Sequence, residues 1–287
     1  MSHLRELVAA ELSLPVDPRV SAIATAIAEV HGTASRAVLF YGSCLREERL
    51  EGLMLDFYLI VSDYRAAYDK KWLATANRLI PPNVFYFEHD SVVAKYAVLS
   101  ETDFDRLTGP ETDSVSVWAR FAQPSRLVWC ADETAKDRAV DAVARSAPTL
   151  LAAAGARAGE KPLDRWRRAF ALTYSAELRA ERKTRGLSVV DMDRERYERF
   201  SEPAIAAIPA TVPRQPSWAR RRVEGKALSV IRLAKASLTF AGGADYIAWK
   251  INRHAGANIQ LKPWQRRHPL LAGLSLLPRL LMSGAVR

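Results

Sequence analysis

An acidic residue inside an apolar run constrains this chain more than any other feature. Asp56 is embedded in the run MLDFYLIV, Met54–Val61, which has the length and composition of a buried β-strand. An ionised carboxylate in such a strand is costly unless it is paired with a cation or bound to a metal. We therefore expect Asp56 to belong to a functional site. The alternative is an ion-paired or edge residue with no further role.

A glycine–serine pair precedes this strand. The apolar run Ala37–Tyr41 stops at Gly42, and Ser43 lies thirteen residues before Asp56. Glycine permits a tight turn and lets the backbone approach a ligand closely. Ser43 adds a hydroxyl next to backbone N–H groups that can bind phosphate oxygens. Asp56 supplies the hard oxygen ligand that Mg²⁺ takes together with substrate phosphates. The pattern indicates chemistry on a magnesium-bound nucleotide.

The remaining pattern predicts an α+β fold, a nucleotidyltransferase-type mixed sheet with helices followed by a mainly helical part. Further strands are expected at 84–87, 92–100 and 126–129, and no strand-like pattern occurs after about residue 148. Helices are predicted at 4–12, 20–31, 165–183, 226–243 and 245–256, with a proline-rich loop at 208–216. We expect a catalytic domain over 1–147, a helical domain completing the site over 148–257, and a basic, leucine-rich tail over 258–287.

Charge is divided unevenly along the chain. Residues 1–150 carry 16 Lys and Arg against 21 Asp and Glu, a net of −5, whereas residues 151–287 carry 26 against 11, a net of +15. This asymmetry favours an anionic partner, either nucleic acid or a membrane with acidic lipids, over a merely solvated basic face.

The cysteines and the hydropathy pattern indicate the compartment. Cys44 and Cys130 form no disulfide framework and no metal-ligand spacing, which favours a reducing compartment. The N-terminal stretch carries charges where a signal peptide needs an apolar core, and no run reaches the roughly 18 apolar residues of a membrane span. We expect a cytoplasmic protein, peripheral on the inner face of a membrane.

One departure from the usual nucleotidyltransferase pattern points to the acceptor. Superfamily members carry Asp-x-Asp on one strand, but the second position here is Tyr58, and Asp63 is more typical of a turn. A hydroxyl acceptor normally needs a neighbouring base. A phosphate monoester has a second pKa near about 6 and is already an anionic nucleophile at neutral pH. The missing acid therefore favours a phosphate acceptor.

Several segments, in order, resemble the mitochondrial translocator-assembly-and-maintenance type of CDP-diacylglycerol synthase (phosphatidate cytidylyltransferase) and its bacterial relatives. They are YGSCL (41–45), MLDFYLIVSD (54–63), VFYF (84–87), VVAKYAVLSETDF (92–104), WARFAQPSRLV (118–128), LTYSAELR (172–179) and SVIRLAKASLTFAGGADYIAWKINR (229–253). Departures stand at Ala97 and Ala119, where glycine is expected, and at Ala176 and Glu177, where Gly-Asp is expected.

The resemblance implies an enzyme that converts CTP and phosphatidic acid, or a related lipid phosphate, to CDP-diacylglycerol and pyrophosphate with Mg²⁺. Carried over by position, the resemblance implies the following roles: catalysis for Asp56, Ser43 and Lys95; nucleotide binding for Gly42, Ser43, Tyr96 and Arg120; lipid-phosphate binding for Arg179 and Lys95; and metal binding for Asp56 and Glu177. Each of these residues could instead have an ordinary structural role, as a strand residue or in a surface ion pair.

The tail fits a membrane-bound substrate. Trp264, Lys262, Arg266 and Arg267 precede a leucine-rich stretch, as in interfacial segments that bind anionic headgroups. Docking of this stretch on the protein's own core is the alternative. No nucleic-acid partner is expected, because no RNA-binding module is recognisable. Two other functions stay open: a nucleotidyltransferase acting on a hydroxyl of RNA, protein or a small molecule, and an inactive membrane-associated scaffold.

Overall fold

The computed structural model describes residues 2–46, 50, 52–177, 189–239, 260 and 262–264. Its helices are α1 (His3–Leu12), α2 (Pro18–Val30), α3 (Tyr64–Ala67), α4 (Lys71–Leu79), α5 (Glu101–Thr108), α6 (Trp118–Phe121), α7 (Glu133–Ala154), α8 (Pro162–Ala176), α9 (Arg194–Ala206) and α10 (Trp218–Thr239). Short 3-10 turns occupy Gly32–Ala34 and Ser43–Arg46. The strands are β1 (Ser35–Tyr41), β2 (Met54–Val61), β3 (Asn83–His89), β4 (Val92–Ser100) and β5 (Ser125–Cys130).

The strands form one mixed five-stranded sheet in the order β3-β4-β2-β1-β5. β2 and β4 are parallel, and the other three neighbouring pairs are antiparallel. The bounds of β2 and β4 coincide with the predicted runs, and the other three strands extend the predictions by one or two residues at an end. The α+β fold class is confirmed, and no strand follows Cys130 in the described ranges.

The alternation of side chains in β2 separates two apolar clusters. Phe57 and Leu59 belong to one cluster, which packs the sheet against α2. Tyr58 and Ile60 belong to the other, which joins the sheet to α1, α5, α6, α7, α8 and α9. Because successive residues of a strand point to opposite faces, Asp56 lies on the same face as Tyr58. The sheet thereby presents Asp56 toward the helical half of the molecule.

The expected boundary at 147/148 falls inside α7, which continues through Pro148. The larger apolar cluster also contains residues from both sides of that position, including Leu4, Leu99, Leu150 and Phe170. Helix α8 begins earlier than expected and ends at Ala176, and α10 begins at Trp218 rather than at 226. The predicted helix at 245–256 lies outside the described residues.

Helix α10 crosses the end of α8 at Gly225. A Cβ atom at Gly225 would collide with the carbonyl oxygen of Ala176, the last residue of α8. Only glycine therefore allows the two helix backbones to approach this closely. The crossing brings the second half of α10 toward the sheet, where it also packs on β3.

Among the described helices, none combines the length and the apolar composition required to cross a bilayer. Of the predicted tail 258–287, the structure describes residues 260 and 262–264 alone, and Trp264 is exposed there.

Candidate active site

Gly42 and Asp56 meet at the end of β1. Tyr41 pairs with Asp56 in the antiparallel register of β1 and β2, so the residue that follows Tyr41 lies beside the carboxylate. Gly42 has φ of 97°, and a Cβ atom at this position would lie 3.3 Å from Asp56 Oδ2. Ser43 then begins the short turn and is exposed. The local chain therefore needs glycine both for its backbone conformation and for the space beside Asp56.

Lys95 reaches Asp56 from the parallel neighbour. The two residues are partners in the β2–β4 register, and Lys95 Nζ lies 3.0 Å from Asp56 Oδ1. This oxygen is buried, yet it has no hydrogen bond of acceptable geometry within the described chain. The pair is thus close in distance but not aligned as a hydrogen bond. A buried carboxylate oxygen with spare capacity fits a site that binds a metal cation.

Aromatic side chains form a wall beside the carboxylate. The rings of Tyr41 and Tyr58 lie 5.2 Å apart, and Phe121 lies 5.2 Å from Tyr58. Burial raises the pKa of Tyr41, and the charge of Asp56 raises it further. Position 58, where an Asp-x-Asp pattern would place a second acid, is occupied by a ring packed among aromatic neighbours.

Arg120 and Glu177 lie at the same site, although they belong to distant parts of the chain. Arg120 Nη1 lies 3.7 Å from Glu177 Oε1, and it also donates to the carbonyl oxygen of Ser116. Burial by itself lowers the pKa of Arg120, but Glu177, the nearby tyrosines and Asp56 raise it, and the net shift is upward. Glu177, just beyond α8, has 9% of its side chain exposed. Both predicted metal carboxylates thus act on one guanidinium.

The structure separates Tyr96 from this cluster. Tyr96 lies on the α2 face of β4, where it stacks on Phe85 and its hydroxyl is 3.2 Å from His31 Nε2. Burial raises the pKa of Tyr96. Successive strand residues point to opposite faces, so Lys95 and Tyr96 do not share a face. The alternation was visible in the sequence and would have removed Tyr96 from the predicted set.

Two further residues considered from the sequence lie away from the cluster or outside the described ranges. Asp63 caps α3, because its side chain accepts a hydrogen bond from the backbone N–H of Arg65. Asp63 therefore has a local structural role at the start of a helix. Arg179 lies outside the described residues.

Sequence reasoning missed two cations on α10 that join the cluster. Arg232 donates to Ser116 Oγ and to the carbonyl oxygen of Pro81, each at 2.8 Å. Lys235 is buried and donates to the carbonyl oxygen of Ile80. The spacing of three residues places both side chains on one helix face. That spacing was a weak signal, since several other basic residues of the same helix are exposed.

The charges of the cluster are unequal. Lys95 lies beside Asp56, Arg120 lies beside Glu177, and Arg232 is within electrostatic range of Glu177. Lys235 adds a fourth cation next to Arg232, so four cations accompany two carboxylates. No group of three or more His, Cys, Asp or Glu side chains suited to a metal occurs within the described ranges. A metal held here would need ligands beyond the protein carboxylates. The arrangement is suited to a polyanion that itself carries oxygen ligands, such as a nucleoside triphosphate.

Comparisons with known proteins give a weak likeness to solved structures. No protein-family model matches the chain, and no curated protein matches it. One solved structure to which the chain is similar is a nucleotidyltransferase-like protein from Exiguobacterium sibiricum, with 10% sequence identity over 92% of each chain. The TM-score of 0.29 is too low for this likeness to carry an argument about fold or function.

Proposed function

We propose that this protein is a phosphatidate cytidylyltransferase, which joins CTP to phosphatidic acid or a related lipid phosphate and releases pyrophosphate. One observation carries the proposal. Asp56 lies on a central strand, and Gly42 lies next to its Oδ2 atom. Lys95 Nζ is 3.0 Å from its Oδ1 atom, which accepts no aligned hydrogen bond within the described chain. Such a group is suited to bind a metal–triphosphate complex.

Mg²⁺ is the implied cofactor, and the residues present fit it. The unsatisfied Oδ1 of Asp56 offers a ligand, and Glu177 is the second carboxylate of the cluster. When bound, the ion neutralises charge that develops on the α-phosphate and on the departing pyrophosphate. The chain's own contribution is positioning. Gly42 leaves space for a phosphate beside Asp56, Ser43 offers a hydroxyl, and Lys95 offers a cation for phosphate oxygens.

The acceptor is proposed to be a phosphate because of Tyr58. Its ring packs against Tyr41 and Phe121, so this position supplies no carboxylate that could deprotonate a hydroxyl. A phosphate monoester needs no such base, because it is already anionic at neutral pH. Attack of its oxygen on the α-phosphorus of CTP forms the new P–O–P bond and breaks the bond to pyrophosphate.

The lipid and the cytosine rest on the family resemblance, and a membrane surface is the proposed location of the substrate. Two features support an acidic membrane as partner. Residues 151–287 carry a net charge of +15. Helix α10 exposes Val223, Val230 and Leu233 among basic residues of the same helix. Apolar side chains flanked by cations are typical of segments that lie on anionic bilayers.

The test is product formation by the purified full chain with Mg²⁺, each labelled nucleoside triphosphate and phosphatidate liposomes. We expect a CTP-selective nucleotide–lipid product and a loss of at least about 100-fold in rate for Asp56→Asn, which keeps the size of the side chain. The matched control is Tyr96→Phe, because Tyr96 lies on the other face of β4. This control should retain the wild-type rate.

The other outcomes contradict the proposal in distinct ways. Product formed on RNA, protein or a small-molecule hydroxyl, with none on lipid phosphate, would show a different transferase. Nucleotide binding without turnover on any acceptor would show an inactive scaffold. Equal rates for wild type and Asp56→Asn would show that Asp56 does not take part in the reaction.

A further inference from the structure

Arg232 is held at the site by neutral groups. Its Nε and Nη1 atoms donate to the carbonyl oxygen of Pro81 and to Ser116 Oγ. These two bonds fix the plane of the guanidinium. Burial lowers the pKa of Arg232, and the positive charge of Arg120 also lowers it. The side chain is therefore held in place without a full counter-charge.

Lys235 repeats this situation one helical turn later. Its side chain is buried, with 9% relative exposure, and its ammonium donates to the carbonyl oxygen of Ile80. Burial lowers the pKa of Lys235 to about 7, with Arg232 contributing to the shift. A lysine in an apolar setting normally has a carboxylate partner, because an unpaired buried charge is costly.

No such partner is present in the described part of the chain. Neither Arg232 nor Lys235 forms an ion pair there, and every acceptor that either one uses is a carbonyl or hydroxyl oxygen. Glu177 acts on Arg232 only at a distance and is closer to Arg120. The two side chains thus leave N–H donors and positive charge available to an anion.

The position of these cations relative to Asp56 indicates which anion they would hold. Arg232 is within electrostatic range of Tyr58, which lies two residues along β2 from Asp56 on the same face. Two residues of a strand span about 6.6 Å. Arg120 and Arg232 also share Ser116, through its carbonyl oxygen and its hydroxyl respectively. Arg120 and Arg232 therefore both lie near Tyr58, on the face of β2 that carries Asp56.

We propose that Arg232 and Lys235, together with Ser116, form a subsite for the phosphate group of the acceptor, next to the metal–triphosphate site at Gly42 and Asp56. The assignment of the phosphate to the acceptor rests on the proposed function, whereas binding of a phosphate anion does not. A planar guanidinium and a lysine ammonium on adjacent turns of a helix can contact two oxygens of one phosphate. Helix α10 then serves as the element that selects a phosphorylated acceptor.

The experiment measures binding of inorganic phosphate to the full chain by calorimetry at constant ionic strength, at a pH below 7 where Lys235 carries its charge. Arg232→Gln and Lys235→Gln remove the charge but keep an N–H donor for the existing carbonyl and hydroxyl acceptors, which preserves the fold. Arg222→Gln is the matched control, because Arg222 is an exposed arginine of the same helix. We expect each of the two site variants to lose at least about tenfold in phosphate affinity, and the control to bind as wild type.

Cooperative unfolding with a midpoint no lower than that of wild type shows that the variants are folded. Arg232→Lys should recover part of the affinity because it restores the charge. Unchanged phosphate affinity in both site variants would overturn the subsite. In a second arm, short-chain phosphatidate should displace inorganic phosphate from the wild type. Displacement by CTP alone would overturn the assignment to the acceptor.

Failure of the proposed function gives a different pattern. If the chain forms no nucleotide–lipid product but binds phosphate in an Arg232-dependent manner, the subsite is supported and the proposed reaction is contradicted. If the chain forms product and Arg232→Gln leaves the KM for the acceptor unchanged, the reaction is supported and the subsite is contradicted.

Discussion

Substitution of Gly42 by alanine tests the geometry of the site most directly. Gly42 has φ of 97°, which side-chain-bearing residues rarely adopt. The added Cβ would also lie 3.3 Å from Asp56 Oδ2. The variant therefore combines two effects, backbone strain and a displacement of the carboxylate.

The two effects have different magnitudes and different readouts. A positive φ costs a residue with a Cβ atom about 1–2 kcal/mol. For a chain of this size, a loss of that order lowers the unfolding midpoint by roughly 2–8 °C. The contact with Oδ2 is tight by a few tenths of an ångström, so we expect Asp56 to shift by about that distance. Small displacements of a positioned group reduce turnover strongly, and we expect about a tenfold loss of rate.

Gly32→Ala separates strain from displacement. Gly32 also has a positive φ, 53°, but no atom lies within 4 Å of the position that a Cβ would occupy there. Thermal unfolding and nucleotide–lipid product formation are measured for both variants. We expect comparable losses of stability, with a loss of rate confined to Gly42→Ala. Equal rates in the two variants would refute the close approach of Gly42 to Asp56 as a requirement of the site.

Two further predictions concern buried charges. Between pH 7 and 10 Lys235 is protonated in the unfolded chain but not in the folded chain, where its pKa is about 7. The free energy of unfolding should therefore rise by about 1 kcal/mol per pH unit relative to Lys235→Gln. Urea unfolding at pH 7, 8 and 9 measures this dependence, and equal slopes in the two proteins would contradict it. Glu11→Gln should lower the free energy of unfolding by about 3–5 kcal/mol, because it leaves the buried Arg196 without its charged partner. Asp137→Asn, in an exposed pair with Arg5, should lower it by under about 1 kcal/mol in the same assay. Similar losses in the two variants would contradict the burial argument.

Local pattern predicted much of the sheet and the centre of the site. The apolar runs matched β2 and β4 residue for residue, because a buried strand requires continuous apolar residues. Asp56 and Gly42 were identifiable for a related reason. The fold alone does not need a carboxylate within the apolar run of β2 or a glycine at the end of the neighbouring strand β1.

Long-range packing decided what the local pattern could not. The change in composition predicts a domain boundary at 147/148, but α7 continues through this position because its apolar face is shared by both halves. The bonds from Arg232 to Ser116 and from Lys235 to Ile80 join residues 116 and 155 positions apart. No periodicity within α10 specifies such distant partners.

The sequence by itself determined which strands form and which carboxylate stands among them, because strand formation and the cost of a buried charge are local properties of the chain. Only the tertiary structure decided which cations of α10 join Lys95 and Arg120 at the site. Helix α10 reaches the site because Gly225 lets it cross α8 at backbone contact, and that crossing selects Arg232 and Lys235 from among many basic residues.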